Sequence, residues 1–356
     1  MKAIILAAGQ GTRLRPVTLT MPKPLVPVAN KPLIAFAIEM MRDGGLTDIG
    51  IVVNSMSSPI VSQLGDGSSL GVKIDYVIQE EQLGLAHAVG LTKDFVGDEP
   101  FGLFLGDNIF QDKMGELMRG FKESEYEAAI ALGEVADPTR FGVADIQEGK
   151  IVGVVEKPKN PPSNFAISGV YMFRPSIFEA IANIKPSWRN ELEITDAIQW
   201  LITHDKPVQA YKISGWWIDA GKPDAIIQAS QLVLGDMPYT AAPTGDNIID
   251  SDVSARVTLG QNVQIINSVI RGPVIIGNNV TIKDSYVGPY SSIGHDSVIE
   301  NAEIDASIIM KECKVRNVQG RLDSCLIADK SEITASSHKH GSTRRFILAE
   351  NSYVQL

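Results

Sequence analysis

From Val257 onward, aliphatic or aromatic residues return on a six-residue beat: Val257, Val263 and Val269, then Ile275 (with Val274 slightly early), Val280 and Tyr286. After a one-residue drift the beat resumes at Ile293, Val298 and Ile304. Gly260, Gly272, Gly277, Gly288 and Gly294 fall between, and Asn-Asn, Asp-Ser and Asn-Ser pairs stand where turns are expected. A helix repeats every 3.6 residues and a strand every two, so neither alone gives this period. A parallel β-helix does, because each hexapeptide forms one side of a coil and points a small aliphatic side chain into a narrow prism. Residues 248–327 then predict about four coils at about 18 residues each. An ordinary all-β domain of short strands is the alternative, and the persistence of the beat argues against it.

The part before about residue 240 is different. Short apolar runs alternate with helical periodicity: strands are expected at 4–6, 49–53, 74–78 and 101–105, with helices at 32–41, 85–91 and 114–121. Runs apolar on both faces fit a parallel sheet covered by helices. Closely spaced strands at 128–132, 142–144, 151–155 and 168–173 suggest a mixed extension that holds a second substrate. Helices at 175–184 and 195–204 follow, then a strand at 216–219. The expected organisation is an α/β region over residues 1–240 and the repeat region over 245–356. The stretch from 331 to 356, with His338-Lys339-His340 and Arg344-Arg345, reads as an exposed tail or a final cap.

Composition excludes several classes. With 44% hydrophobic and 21% charged residues, the 356-residue chain can build sizeable cores and is not disordered. Its 32 basic against 42 acidic residues give a net charge of −10, which disfavours general nucleic-acid binding. Cys313 and Cys325 share no disulfide or zinc motif. No apolar run reaches the roughly 18 residues of a membrane span. The opening Met1-Lys2-Ala3-Ile4-Ile5-Leu6 run is broken by Gly9 and Gly11 too soon for a signal peptide and reads as a buried strand, so a cytoplasmic protein is expected.

Chemistry first shows in Leu6-Ala7-Ala8-Gly9-Gln10-Gly11-Thr12-Arg13-Leu14-Arg15-Pro16, directly after the first strand. Gly9 and Gly11 allow a tight turn whose N–H groups can face an anion. The string lacks the Gly-Lys-Ser/Thr of a P-loop, and Leu14 stands where a dinucleotide fingerprint needs glycine. Arg13 and Lys23 supply the positive charge instead, Arg as a fork and Lys as a point charge. Asp107 ends one expected strand and Asp219 another, where carboxylates can converge beyond the strand ends. Two such carboxylates plus substrate phosphates suit Mg²⁺. Gln79 follows a strand, and its amide matches the N3–H and carbonyl edge of thymine or uracil.

The string through Pro22-Lys23-Pro24-Leu25-Val26-Pro27 resembles the signature of the sugar-1-phosphate nucleotidyltransferases, Gly-x-Gly-Thr-Arg-Leu-x-Pro followed by Pro-Lys or Ser-Lys. Within that family the chain is similar over its whole length to the thymidylyl branch whose long form carries a C-terminal left-handed β-helix. The resemblance implies a Rossmann-like domain with a mixed central sheet, then that β-helix. It implies that Leu6, Ala8, Gly9, Gly11, Thr12, Arg13, Lys23, Gln79, Gly84 and Asp107 contact the nucleotide, and that Asp107 and Asp219 hold Mg²⁺. Asn108, Gly142, Glu156, Lys157, Ile167 and Tyr171 would hold the sugar phosphate, with Glu191 and Glu193 secondary and Thr195 the structural candidate for a helix cap.

The implied reaction is dTTP (or UTP) plus glucose 1-phosphate giving a nucleoside diphosphate sugar and pyrophosphate, with Arg13, Lys23, Asp107, Lys157 and Asp219 catalytic. The sugar phosphate is already an anionic nucleophile, so no general base is needed. Lys23-Pro24 replaces the Lys-Gln of short thymidylyltransferases and is shared with guanylyltransferases of mannose 1-phosphate. Against that alternative stand Gly84-Leu85-Ala86 and Glu191-Leu192-Glu193-Ile194-Thr195-Asp196. Acyl transfer by the β-helix, with His295 as its candidate, is a further alternative. The coils are read as structural and as the contact of a homo-oligomer.

Overall fold

The computed structural model describes residues 1–147, 149–334 and 345–355, so His338, Lys339, His340 and Arg344 lie outside the described residues. By spatial contact the chain forms two compact units, Met1–Gly9 with Leu33–Asp219, and Gln10–Pro32 with Ala220–Leu356. No described helix is long and apolar enough to cross a membrane.

The first unit is α/β. Its strands are β1 (Lys2–Leu6), β2 (Asp48–Val53), β3 (Lys73–Ile78), β4 (Phe101–Leu105), β5 (Asn108–Phe110), β6 (Ala128–Glu134), β7 (Gly142–Gln147), β8 (Lys150–Glu156), β9 (Phe165–Phe173), β10 (Val208–Lys212) and β11 (Trp217–Asp219). Strands β3, β2, β1 and β4 lie side by side and parallel. Antiparallel β9 continues the sheet and carries two arms, β7 with β8, and β6 with parallel β10. Helices α1 (Leu33–Asp43), α2 (Leu85–Gly90), α3 (Gly115–Glu123), α4 (Ser176–Asn183) and α5 (Ile194–Thr203) belong to the unit, with two shorter helices at Pro59–Leu64 and Lys93–Val96.

The apolar runs are buried as their two-sided pattern requires: Ile4, Ile5, Ile49, Ile51, Val52 and Leu103 are all solvent-free. Phe101 of β4 stacks on Phe178 of α4 with ring centroids 5.6 Å apart, and Phe173 of β9 lies 5.8 Å away. The chain runs outward from β1 through β2 to β3, then returns to the other side of β1 as β4. Ligands of open α/β sheets sit at that reversal, beyond the carboxyl ends of the strands. The strand expected at 216–219 is present as β11, but periodicity alone did not mark β10, nor β5 and its pairing with β11. In Val208–Lys212 only Val208 is buried, so its strand state comes from pairing with β6 rather than from an apolar pattern.

The second unit contains α6 (Pro223–Gly235) and three parallel stacks of short strands that make a left-handed β-helix. On one face Ile248, Ile265, Ile282, Ile299, Val315, Ile333 and Val354 lie above one another, at steps of 17, 17, 17, 16, 18 and 21 residues. Ile270, Val287, Ile304 and Leu322 line the second face, and Leu259, Ile276, Ile293, Ile309, Ile327 and Leu348 follow the third. Over residues 248–327 the first face completes four steps, close to the four coils expected, and the rungs continue past residue 327.

The six-residue beat is real, but its phase shifts by one residue at several points. Ile270, Ile276, Val287 and Ile299 enter the core, rather than their neighbours Val269, Ile275, Tyr286 and Val298. Adjacent residues of a strand point to opposite faces, and where two aliphatics adjoin, the corner geometry decides which goes in. Asn262, Asn279 and Asp296 hold one corner in the left-handed region, which Asn and Asp tolerate. Their side chains form a ladder, Asn262 Nδ2 donating to Asn279 Oδ1 at 3.0 Å and Asn279 Nδ2 to Asp296 Oδ1 at 2.8 Å. Cys313 and Cys325 are buried in the prism, where burial pushes the Cys313 thiol up to about 12. His295 Nδ1 accepts the Asn278 backbone N–H at 2.8 Å, linking one coil to the next as a turn residue.

Candidate active site

The carboxyl ends of β1 and β4 are held by close backbone packing. Gly106 N–H donates to Leu6 C=O at 3.1 Å, and a Cβ at Gly106 would come within 3.0 Å of that oxygen. Asp107 follows at once. Its Oδ1 accepts the Asn108 amide at 3.0 Å, while Asn108 Oδ1 accepts Trp217 Nε1–H at 2.7 Å. The antiparallel ribbon of β5 and β11 pairs Asn108 with Asp219, and Asp107 stands in the turn just before β5, so the two aspartates expected to share a metal lie at one end of the ribbon. Gly169, at φ 89°, interrupts the register of β9, and a Cβ there would meet Asn108 Nδ2 at 3.1 Å.

Among the described residues no three His, Cys, Asp or Glu side chains form a metal cage. Two carboxylates fit Mg²⁺ only as an ion shared with water and substrate phosphates, which matches how Mg²⁺ is usually held.

Gln79 caps β3 and is buried. Its Nε2 donates to His87 Nδ1 at 3.1 Å and to Gly84 C=O at 3.4 Å. An amide nitrogen only donates, so His87 Nδ1 must be the acceptor. Both amide N–H groups of Gln79 thus have protein acceptors. Gln82 Nε2 donates to Ala8 C=O at 2.8 Å, holding the end of β1. A Cβ at Gly9 would meet nothing within 4 Å among the described residues, so packing does not demand a glycine there; close approach by a ligand would.

The second cluster gathers at the ends of β7 and β8. Lys157 Nζ lies 3.1 Å from Glu156 Oε1, and Arg189 Nη1 lies 3.6 Å from the same oxygen. Thr195 Oγ1 donates to Glu156 Oε2 at 3.2 Å. A Cβ at Gly142 would stand 2.7 Å from Thr195 Cγ2, 3.2 Å from Ile167 Cδ1 and 3.3 Å from Glu156 Oε2, so only glycine leaves this carboxylate in place. Arg189 also pairs with Glu191 at 3.0 Å and Glu193 at 3.3 Å. Burial raises the Glu193 carboxyl above its usual value, although Ser187 Oγ donates to it at 2.8 Å. Tyr171 is wholly interior, and burial followed by the Glu156 charge pushes its phenol upward, so it stays a hydroxyl.

The two clusters are laced together. Leu192 N–H donates to Leu83 C=O at 2.7 Å and Ala86 N–H to Leu192 C=O at 3.0 Å. Gly84, at φ 110°, sits so close that a Cβ would lie 2.4 Å from the Leu192 oxygen. Thus Gln79, Gly84, Glu156, Lys157, Gly142 and Ile167 form one connected set, and Asp107, Asn108 and Asp219 another. Gly11, Thr12, Arg13 and Lys23 belong to the second compact unit. There Thr18 Oγ1 donates to Gly11 C=O at 2.7 Å, and a Cβ at Gly11 would come 2.9 Å from Lys23 Cβ. Sequence reasoning missed Arg189, His87 and Trp217, because no residue spacing relates them to the groups they touch.

The sequence pattern of the nucleotidyl transferase family matches residues 2–235. A low-salt glycan biosynthesis nucleotidyltransferase, Agl11 of Haloferax volcanii, is 44% identical over the full length of both chains. A glucose-1-phosphate thymidylyltransferase of Streptomyces griseus is 40% identical over 100% of this chain and 99% of its own. The crystal structure of a candidate glucose-1-phosphate thymidylyltransferase of Bacillus anthracis, with sucrose, superimposes with a TM-score of 0.63 at 39% identity, over 67% of this chain and 97% of that one. Pattern, relatives and fold agree: the chain belongs to the nucleotidyl transferase family, as a sugar-1-phosphate nucleotidyltransferase.

Proposed function

We propose that the chain transfers a thymidylyl group from dTTP to glucose 1-phosphate, giving dTDP-glucose and pyrophosphate. The observation that carries this reading is the Gln79 amide, whose Nε2 is engaged by His87 and Gly84, because its Oε1 acceptor suits the N3–H of thymine. Uracil offers the same N3–H and differs by one methyl group, so UTP is the competing donor. The long Streptomyces griseus relative, named for the thymidylyl reaction, favours dTTP.

In this reading a phosphate oxygen of glucose 1-phosphate attacks the α-phosphorus. The bond from that phosphorus to the bridging oxygen of the β-phosphate breaks, and its electron pair leaves with pyrophosphate. Two polyanions must meet, so the protein supplies alignment and countercharge. Lys157 neutralises the sugar phosphate while Glu156 accepts from sugar hydroxyls, and Asn108, Gly142, Ile167 and Tyr171 complete that side. Lys23 faces the α-phosphoryl and Arg13 the departing phosphates. Leu6, Ala8, Gly9, Gly11 and Thr12 line the nucleotide, and Gly84 supports the base. Asp107 and Asp219 would hold Mg²⁺, which when bound supplies positive charge to the phosphates of both substrates. Residues 1–240 carry this catalysis in a cytoplasmic enzyme, and residues 245–356 build the contact of a homo-oligomer.

The deciding experiment measures pyrophosphate release across dTTP, UTP, GTP, CTP and ATP against glucose, galactose, mannose and N-acetylglucosamine 1-phosphates. The highest kcat/KM is expected for dTTP with glucose 1-phosphate. A clear preference for GTP with mannose 1-phosphate would replace this reading with the guanylyl one.

A further inference from the structure

Residues 10–32, which carry the glycine loop and Lys23, contain only short 3-10 turns and a two-residue hairpin. Such a segment has little local stability of its own, so what holds Lys23 in place must come from outside it. The segment shares a compact unit with α6 and the β-helix.

The anchor is visible just beyond Lys23. Pro27–Val28 pairs with Lys31–Pro32, and the two turn residues, Ala29 and Asn30, adopt φ of 48° and 61°. Two hydrogen bonds tie this turn down. Ala29 N–H donates to Ser230 Oγ of α6 at 3.2 Å, and Asn30 Nδ2 donates to the Ile293 carbonyl of the β-helix at 2.7 Å. The same carbonyl accepts Gly277 N–H at 2.8 Å, so the Asn30 amide uses an oxygen already fixed in the coil ladder. Ser291, Ser292 and Ile293 are all solvent-free. Alternate residues of a strand point in opposite directions, so the outer side of this rung is covered as fully as its core side. The α6 helix packs on that rung, and Ser230 is itself buried.

We propose that Asn30 and Ser230 are positioning residues, through which the β-helix and α6 act as the rigid mount of the Lys23 segment. The β-helix then serves catalysis directly, beyond any part in assembly. A lysine ammonium on a flexible stem is effective only if its backbone is fixed, and a misplacement of about 1 Å can cost on the order of 10²-fold in rate. The proposal rests on the reading of Lys23 as the group facing the α-phosphoryl.

The test uses full-length protein carrying Asn30→Gly, which keeps the positive φ without strain and deletes the amide, or Ser230→Ala as a second variant. Two quantities are read, hydrogen exchange over residues 23–32 and steady-state pyrophosphate release with dTTP and glucose 1-phosphate. Exchange there should quicken about tenfold and kcat fall about tenfold, with KM for the sugar phosphate within about twofold and exchange in the coils unchanged. A merely structural loss would instead raise exchange in the coils and leave the kcat of the folded fraction intact. Unchanged exchange over 23–32 in both variants overturns the proposal, and so does faster exchange with unchanged kcat. If the unaltered protein releases pyrophosphate from no substrate pair, the proposed reaction is what fails, and the exchange measurement alone decides the anchoring.

Discussion

At the scale of single residues, the site works by committing polar atoms in advance. In the proposed reaction Gln79 reads the base through its carbonyl, because His87 and Gly84 occupy its amide nitrogen. His87→Leu removes one of those acceptors and frees the amide to turn over, presenting a donor to the acceptor N3 of cytosine. Discrimination of dTTP over dCTP should then fall by about tenfold, mostly in KM, as expected when one hydrogen bond of roughly 1 kcal/mol is lost. Kinetics with both nucleotides check this. Asp107→Asn keeps the size and the Asn108 contact but halves the paired charge. Turnover should drop by about 10²–10³, in line with the loss of a preorganised charged group, while the unfolding midpoint stays put. Asp107 and Asp219 come into view from sequence as carboxylates at or just past the ends of legible strands, whereas Glu156 and Lys157 are candidates only through the resemblance to the family. Arg189 could not be named from sequence. It reaches Glu156 across the fold from a loop, and only the folded chain puts its guanidinium at the carboxylate.

At the scale of elements, small caps decide where larger pieces stop. Asp112 follows β5 and accepts from Ser214 N–H at 2.9 Å, Ser214 Oγ at 3.0 Å and Met114 N–H at 2.9 Å, tying together the chain before and after the ribbon. Partial burial works to raise its carboxyl, yet these hydrogen bonds outweigh it and hold the group below the usual value. A depressed folded-state pKa stabilises fully above the unfolded value of about 3.9 and is lost as pH falls through the folded one. Asp112→Asn should therefore remove part of the acid sensitivity of unfolding below about pH 4 and lower stability at neutral pH, as denaturant melts across pH would reveal. Arg256 shows the same logic at the end of α6. Its Nη2 donates to the carbonyls of Leu234, Gly235 and Met237 at 3.1, 2.7 and 3.2 Å, a cation placed on the negative end of a helix. Arg256→Ala should cost about 1–2 kcal/mol, seen as faster exchange in the last turn of α6.

At the scale of the whole molecule, two kinds of core obey different rules. The α/β sheet is held by many partners at once, whereas each coil of the β-helix touches mainly the coils next to it. Ile282 stands between Ile265 and Ile299 in the prism, with no solvent exposure. Ile282→Ala should cost about 2–5 kcal/mol and speed exchange most in the rungs on either side, with little change in β1 to β4. The β-helix was legible in outline because a fixed period writes itself into the sequence, and the parallel sheet because its buried strands are apolar on both faces. What stayed hidden was phase and partnership. Whether Val269 or Ile270 enters the prism, whether residues 208–212 form a strand, and which carbonyl Asn30 meets are each settled by atoms distant along the chain. Sequence alone determined the period of the coils, the strand that leads to Asp107 and the strand that ends in Asp219, and the charge of the glycine loop, since those rest on local preference and burial. Tertiary structure alone decided the orientation of the Gln79 amide, the company of Glu156 and the anchorage of the Lys23 segment, because a hydrogen bond forms only where folding brings donor and acceptor within about 3 Å.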